Sequence, residues 1–316
     1  MRIKKRYLWI GLAVVFVVGI VLFSPLRCSI PLLSSGCEKK IEEVEKINPA
    51  QTSFSIDERG FVKFPARGEI LFSRQNHSET DNVTISKIMF KSRDHTIYGL
   101  LVLPKKVNKA LPGMVLIPGA GVSKESELAL ATNISSLGVA VLTYDQRGTG
   151  ETKGAPEDMQ QQYDLYRQGL EPQSYFMIYD ALRAYDLLAS ADFVDKNHIV
   201  MAGESLGGRN ALIATALEEN IKGALIMSSA GFGLQSTGNS EADKFLQSID
   251  RDFYIASIYP RKIVFMQNEL DKTVPIGAAA MTYNRAPGEK RFVAVNDTSC
   301  NHGYCESMYL GMLAGM

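Results

Sequence analysis

Neither charge is in excess in this chain: Lys and Arg together number 34, and Asp and Glu also number 34. After Arg2, Lys4, Lys5 and Arg6 no dense basic stripe follows, so the electrostatic footprint with which proteins hold nucleic acid is missing. Internal repeats and low-complexity tracts are missing too, and 316 residues fit a single α/β domain with an N-terminal appendage. Cysteine is sparse, with four residues in two close pairs, Cys28 with Cys37 and Cys300 with Cys305. A zinc site normally needs four ligands at recognisable spacing, and no second Cys/His cluster completes one here, so no metal is expected. The pairs are expected to be disulfides, as even cysteine numbers tend to become in an oxidising compartment. Histidine is as scarce: His77, His95, His198 and His302 are the whole supply.

One apolar run is long. Tyr7 to Ser24 carries no charge, which is about the roughly 17–25 residues that span a bilayer as a helix. The lysines and arginines ahead of it place that end in the cytoplasm and everything after Ser24 outside. A cleaved signal peptide usually has a shorter apolar core of roughly 7–15 residues and small residues at its cleavage site, for which Phe23-Ser24-Pro25-Leu26-Arg27 is a poor match. Asn76, Asn82, Asn133 and Asn296 fit the N-glycosylation acceptor pattern.

Residues 38–80 carry a charged cluster and then mixed polar sequence without long periodicity, and read as a stalk and lead-in. From Val83 the pattern changes. Val83 to Phe90 and Thr96 to Leu103 are β-rich runs separated by Arg93-Asp94, a hairpin at a sheet edge. Afterwards strand-like runs alternate with helical stretches: Met114–Ile117, Val139–Tyr144, Ile199–Ala202, Ala224–Ser228, Ile263–Met266 and Phe292–Val295. Such alternation predicts a mostly parallel sheet with helices on both faces. Ile178, Leu182, Tyr185 and Ala189 recur at helical spacing and are expected in the core. The polar connections 151–172 and 229–258 both follow strands, which places them over the sheet end where ligands bind.

Within this pattern Gly203-Glu204-Ser205-Leu206-Gly207 sits between a strand and a helix. A serine at the tip of a sharp strand-to-helix turn needs glycine on both sides, because a Cβ there meets the crossing elements. The following helix aims its first backbone N–H groups at any oxyanion formed on Ser205, with Leu206 the nearest donor. A second donor is expected from Pro118-Gly119-Ala120-Gly121, which directly follows a strand, and Ala120 is the choice. A serine nucleophile needs a base and a group to orient that base. His77 and His95 lie before or within the leading hairpin, and His198 precedes its strand, at the wrong edge of the sheet. His302 remains, in a loop after the last strand and at the same end as Ser205. Glu269 and Asp271 both follow the penultimate strand and compete for the third role. Asp145 and Arg147, in Asp145-Gln146-Arg147-Gly148-Thr149-Gly150, are expected to pair with each other in a tight turn below the site.

The hairpin ending in Leu101-Val102-Leu103-Pro104, the Asp-x-Arg-Gly-x-Gly turn, the elbow and the Asp-then-His tail occur in one order, and from about Val83 to the C-terminus the chain resembles the α/β-hydrolase superfamily. The dienelactone-hydrolase-like, acetyl-xylan-esterase-like and prolyl-oligopeptidase-like branches are the most similar. Many members have histidine where Pro118 stands, a departure that bears on the oxyanion donor. The resemblance implies an α/β-hydrolase fold and selects Asp271, because Val274-Pro275 follows at that family's usual spacing. It implies Ser205, Asp271 and His302 as a triad, an acyl-enzyme, a small-molecule ester or acyl substrate, and no cofactor. The expected organisation is a basic segment and transmembrane anchor over 1–27, a stalk and lead-in over 28–80, and the catalytic domain over 81–316. Rival readings are a serine peptidase and a non-catalytic binding protein on the same scaffold.

Overall fold

In the computed structural model, which describes residues 54–106 and 109–313, apolar alternation becomes strand wherever it was read as such. The first described elements are two short paired strands, β1 (Ser55–Ile56) and β2 (Val62–Lys63). An antiparallel meander follows: β3 (Phe72–Glu79), β4 (Val83–Ser92) and β5 (His95–Pro104). β4 and β5 turn at Arg93, which takes a left-handed φ of 54°, and pair in an unbroken register from Val83↔Pro104 to Ser92↔His95. The remaining elements alternate: β6 (Leu111–Ile117), α1 (Leu128–Ser136), β7 (Ala140–Tyr144), α2 (Met159–Arg167), α3 (Gln173–Ala189), β8 (Val194–Glu204), α4 (Leu206–Leu217), β9 (Gly223–Met227), α5 (Ser240–Ile249), α6 (Arg251–Tyr254), β10 (Lys262–Asn268), α7 (Ile276–Arg285), β11 (Lys290–Val295) and α8 (Glu306–Leu313).

β3 to β11 form one sheet in the order β11-β10-β9-β8-β6-β7-β5-β4-β3. The strands from β6 onward pair in parallel, and β5 joins them antiparallel to β7. β6 lies between β7 and β8, so the chain leaves it first to one side and later to the other. The crevice beyond the carboxyl ends of β6 and β8 is therefore the topological switch point where ligands bind in open α/β sheets.

The period of two along each strand divides its side chains between two cores. Val115 and Ile117 enter a cluster with α3 and α4, whereas Leu116 joins Leu130, Ile134 and Met308 on the opposite face. Helices thus cover both faces. α3 is buried over nearly its whole circumference, well beyond the stripe of Ile178, Leu182 and Tyr185.

The extra burial on α3 comes from the segment read as lead-in. Phe54 packs edge-on against Tyr175 at 4.8 Å and Phe64 against Tyr179 at 5.2 Å. Arg183 on α3 donates to the carbonyls of Arg67, Gly68 and Glu69. The sheet itself begins at Phe72, so the boundary expected at residue 81 falls inside the β3–β4 hairpin. Polar Arg74 to Glu79 hid β3 because an edge strand can expose both faces. A second correction concerns His198, which lies within β8 and pairs with Asp195 at 2.8 Å, exposed to solvent. The four acceptor asparagines, Asn76, Asn82, Asn133 and Asn296, are all exposed. Among the described residues no helix is long and apolar enough to cross a membrane. The expected anchor from Tyr7 to Ser24 and the Cys28/Cys37 pair lie outside the described residues.

Candidate active site

β8 ends on Glu204 and α4 begins on Leu206, leaving Ser205 alone at the turn with φ 51° and ψ −115°. Few L-residues adopt this conformation, and it holds the hydroxyl away from the helix it precedes. The turn is so sharp that a Cβ on Gly203 would lie 2.5 Å from the carbonyl of Gly207. One on Gly207 would run into the carbonyl oxygens of Ile117 and Pro118. Backbone bonds fix the serine: its N–H donates to Met227 O at 2.9 Å, and its carbonyl accepts from Arg209 N at 3.2 Å and from the Ser229 hydroxyl. Its own hydroxyl caps nothing in α4.

Asp271 follows β10 and His302 follows β11, at the same sheet edge. His302 Nδ1 and Asp271 Oδ2 are 2.8 Å apart. The carboxylate, 4% exposed, also accepts from Gln267 Nε2 at 3.0 Å and from the backbone N–H groups of Thr273 and Val274 at 2.8 and 2.9 Å. That many donors fix the carboxylate's position and orientation. Glu269, the competitor for this role, accepts from Asn296 Nδ2 at 2.8 Å and takes no part in the contact. The histidine loop is held at both ends. Cys300 and Cys305 are joined in a disulfide, Asn268 Nδ2 donates to Asp297 O and Cys300 O, and the Ser228 hydroxyl donates to Gly303 O at 2.8 Å. Gly303 has φ +87°, and a Cβ there would come within 2.5 Å of Glu204 Oε2.

Ser205 and His302 line one cavity of about 460 Å³, with Gly119, Ala120, Val122, Ser126, Glu127, Glu204, Thr273, Gly303 and Tyr304. Ala120 borders this cavity. Leu206 borders a second one of about 350 Å³ that also touches Ser205 and Thr273. The Pro118–Ala120 loop is fixed through Gln146, whose amide donates to Pro118 O at 2.7 Å and accepts from Asn210 on α4, also at 2.7 Å. Gln146 thereby ties the loop after β6 to the helix that carries the serine.

The turn containing Asp145 and Arg147 does not pair within itself. Asp145 binds Lys124 Nζ at 2.7 Å and the backbone N–H groups of Lys124 and Glu151, both at 2.8 Å. Arg147 instead forms a two-point pair with Asp180 on α3, at 2.8 and 3.0 Å. Tight turns separate residues two apart, so each side chain took a partner from another element. Of the aromatics in the polar connections, Tyr163 and Tyr166 pack on Phe245, while Phe232 borders the second cavity.

Two carboxyl groups in the first cavity escaped the sequence reading. Glu127 is 2% exposed and Glu204 7% exposed. Glu204 Oε2 accepts from Tyr304 N at 2.6 Å, whereas Glu127 Oε1 is buried with no hydrogen-bond partner. Burial first, and then the hydrogen bond and negative charge of Glu204, hold the Glu127 carboxyl far above the ordinary value of 4.5. Of the two, Glu127 is the carboxyl whose neutral form its surroundings favour. Glu204 occupies the variable position before the serine, but nothing in the sequence near Glu127 marks it as buried.

The family model for acetyl xylan esterase (AXE1) matches residues 68–229, just over half of the chain, with Ser205 inside the match and Asp271 and His302 beyond it. Among solved structures, the acetyl xylan esterase from Paenibacillus sp. R4 superposes with a TM-score of 0.64 at 19% identity, covering 78% of this chain and 87% of that one. Acetyl xylan esterase 1 from Thermoanaerobacterium sp. JW/SL YS485 gives 0.59 at 16% identity with the same coverages, 78% and 87%. Likeness at these identities speaks for the fold. A curated relative, the acyltransferase drtE of Aspergillus calidoustus, is 26% identical over 175 residues, 55% of this chain and 50% of that protein. The chain thus spans half the length of the curated relative it matches.

Proposed function

The chain belongs to the acetyl xylan esterase family, and on that premise we propose that it is a serine hydrolase acting on ester bonds, with Ser205, His302 and Asp271 as its catalytic triad. The observation that carries this reading is the 2.8 Å contact between His302 Nδ1 and a buried, fully satisfied Asp271 carboxylate. It keeps the proton on Nδ1 and leaves Nε2 with its lone pair free to act as a base. Nε2 takes the Ser205 proton as the oxygen attacks the ester carbonyl. The N–H groups of Ala120 and Leu206 hold the resulting oxyanion, each contributing on the order of 10²–10³ in rate. The tetrahedral intermediate collapses to an acyl-enzyme, and His302 returns the proton to the departing alcohol. Water, activated by the same Nε2, then releases the acid.

We place this domain outside the membrane, on an anchor formed by Tyr7 to Ser24. The small-molecule ester substrate approaches through the cavity lined by His302 and Ala120.

Hydrolysis of p-nitrophenyl acetate by the full chain, beside Ser205→Ala and His302→Ala, tests the triad. Loss of at least about 10³-fold in kcat in both variants is expected. A Ser205→Ala protein that keeps its activity would remove the triad from consideration. Fractionation tests the anchor: the full chain should stay with membranes after an alkaline wash, and a chain lacking residues 1–27 should not.

A further inference from the structure

The second cavity touching Ser205 is lined by Leu206, Arg209, Ser229, Phe232 and Arg251, with others. Its two arginines are unusual. Arg209 is 6% exposed and Arg251 4% exposed, and the acids that act on their charge, Asp250 on both and Asp252 on Arg251, do so without a hydrogen bond to either. Arg209 donates only to neutral oxygens, Asn210 Oδ1 at 3.4 Å and Ser174 Oγ at 3.3 Å. Arg251 donates through Nη1 to the Ser229 hydroxyl, and its Nε is buried with no partner at all. The nearest acids have other partners. Asp250 accepts from the N–H groups of Phe232 and Asp252, and Asp252 pairs through Oδ2 with Arg285 at 3.2 Å while its Oδ1 is buried without a hydrogen bond.

Two buried guanidinium groups facing one cavity carry a desolvation cost that the charges of Asp250 and Asp252, without a hydrogen bond to either guanidinium, repay only in part. Burial lowers Arg209 toward about 10, and burial together with the charge of Arg209 lowers Arg251 toward about 9. A guanidinium fork matches a carboxylate in two-point geometry and pairs with it more strongly than with neutral oxygens. The start of α4 adds the partial positive charge of its N-terminus on the same side. All three features favour an anion beside the nucleophile.

Resting on the esterase reading of Ser205, we propose that Arg209 and Arg251 form a carboxylate-binding subsite, so that the preferred substrates are half-esters of dicarboxylic acids, with the free carboxylate on the acyl part. The acyl side follows from the chemistry. His302 must reach the departing alcohol oxygen, and His302 lines the first cavity only, which leaves the second for the acyl chain. Ser229 bridges the subsite to the nucleophile, accepting from Arg251 and donating to the Ser205 carbonyl.

The test compares kcat/KM of the full chain on three esters: p-nitrophenyl acetate, the mono-p-nitrophenyl ester of glutaric acid, and 4-acetoxybenzoate, whose carboxylate sits on the alcohol side. The glutarate half-ester is expected to be favoured over the acetate by at least about tenfold. That ratio should collapse in Arg209→Gln and Arg251→Gln, and be partly retained in Arg251→Lys. Because Arg251 also reaches Ser229, the ratio between substrates, and not the rate on any one, is the readout. Equal or lower activity on the half-ester, with a ratio unmoved by the arginine variants, overturns the subsite while leaving the esterase intact. A preference for 4-acetoxybenzoate instead overturns the acyl-side assignment. If no ester is hydrolysed, the triad reading fails separately, and calorimetric binding of glutarate to Ser205→Ala, present there and lost in Ser205→Ala with Arg251→Gln, decides the subsite on its own.

Discussion

Ser205 stands in a backbone conformation, φ 51° and ψ −115°, that costs an L-residue on the order of 1–3 kcal/mol and survives only because the surrounding strands and helix impose it. The neighbouring strand ends the same way, with Ser228 at φ 45°. Strain of this kind is relieved by removing the Cβ. Ser205→Gly is therefore expected to be more stable than Ser205→Ala by about 1 kcal/mol, although both lack the hydroxyl proposed as nucleophile. Urea denaturation of the two variants checks this, and equal midpoints would mean that the strain carries no free energy. Glu127 makes a second prediction at this scale. Its surroundings favour the protonated carboxyl in the folded chain, whereas in the unfolded chain it ionises above the ordinary 4.5. The folded state thus binds more protons, and its stability falls as pH rises above that value. Glu127→Gln cannot lose a proton, so its stability relative to wild type should improve with pH, by at most about 1.4 kcal/mol per unit. Denaturation at pH 4.5, 6 and 8 would show the two curves diverging; parallel curves would mean that Glu127 is ionised in the fold.

The element that positions His302 is a loop rather than a helix or strand. From Val295 at the end of β11 to Glu306 at the start of α8, the chain has no ladder to hold it, and its order comes from side chains of other elements and from the Cys300–Cys305 disulfide. That bridge closes a ring with a sequence separation of 5. So small a ring contributes only about 2 kcal/mol of chain entropy, and its larger effect is on where His302 sits. Replacing both cysteines by serine should lower kcat on p-nitrophenyl acetate by about tenfold or more, since small displacements of a catalytic group are expensive, while shifting the unfolding midpoint only modestly. A double variant with full kcat would show that the Ser228 and Asn268 hydrogen bonds suffice. The polar connections behave as elements in their own right. α2 carries a capping box between Asp158 and Gln161, and its tyrosines pack on Phe245 of α5. Both segments become a packed layer instead of free loops.

At the scale of the molecule, the folded unit is larger than the region of clear strand and helix periodicity. Phe61, Val62 and Ile70 are 4%, 0% and 6% exposed in the main core, and β3 closes the sheet edge beside β4. A fragment beginning at residue 81 loses all of them. At about 1.5–3 kcal/mol for each buried large apolar side chain, the loss is on the order of 5 kcal/mol, comparable with the roughly 5–15 kcal/mol that holds a domain together. Such a fragment should fail to unfold cooperatively on heating, whereas one beginning at residue 54 should melt in a single transition; two similar melting curves would show that the lead-in is dispensable. What the sequence by itself determined is local: the strands from Val83 onward, the hairpin at Arg93-Asp94, and the glycines around Ser205, each set by neighbours a few residues away through side-chain period and backbone space. Placing His302 also needed only the direction of parallel strands, which brings every loop after a strand to one edge. Only the tertiary structure decided the buried pair Glu127 and Glu204, the burial of Arg209 and Arg251, the separate partners of Asp145 and Arg147, and the packing of Phe54 to Gly68 on α3. A charged residue looks the same in sequence whether water reaches it or not, and its burial is settled by elements distant along the chain.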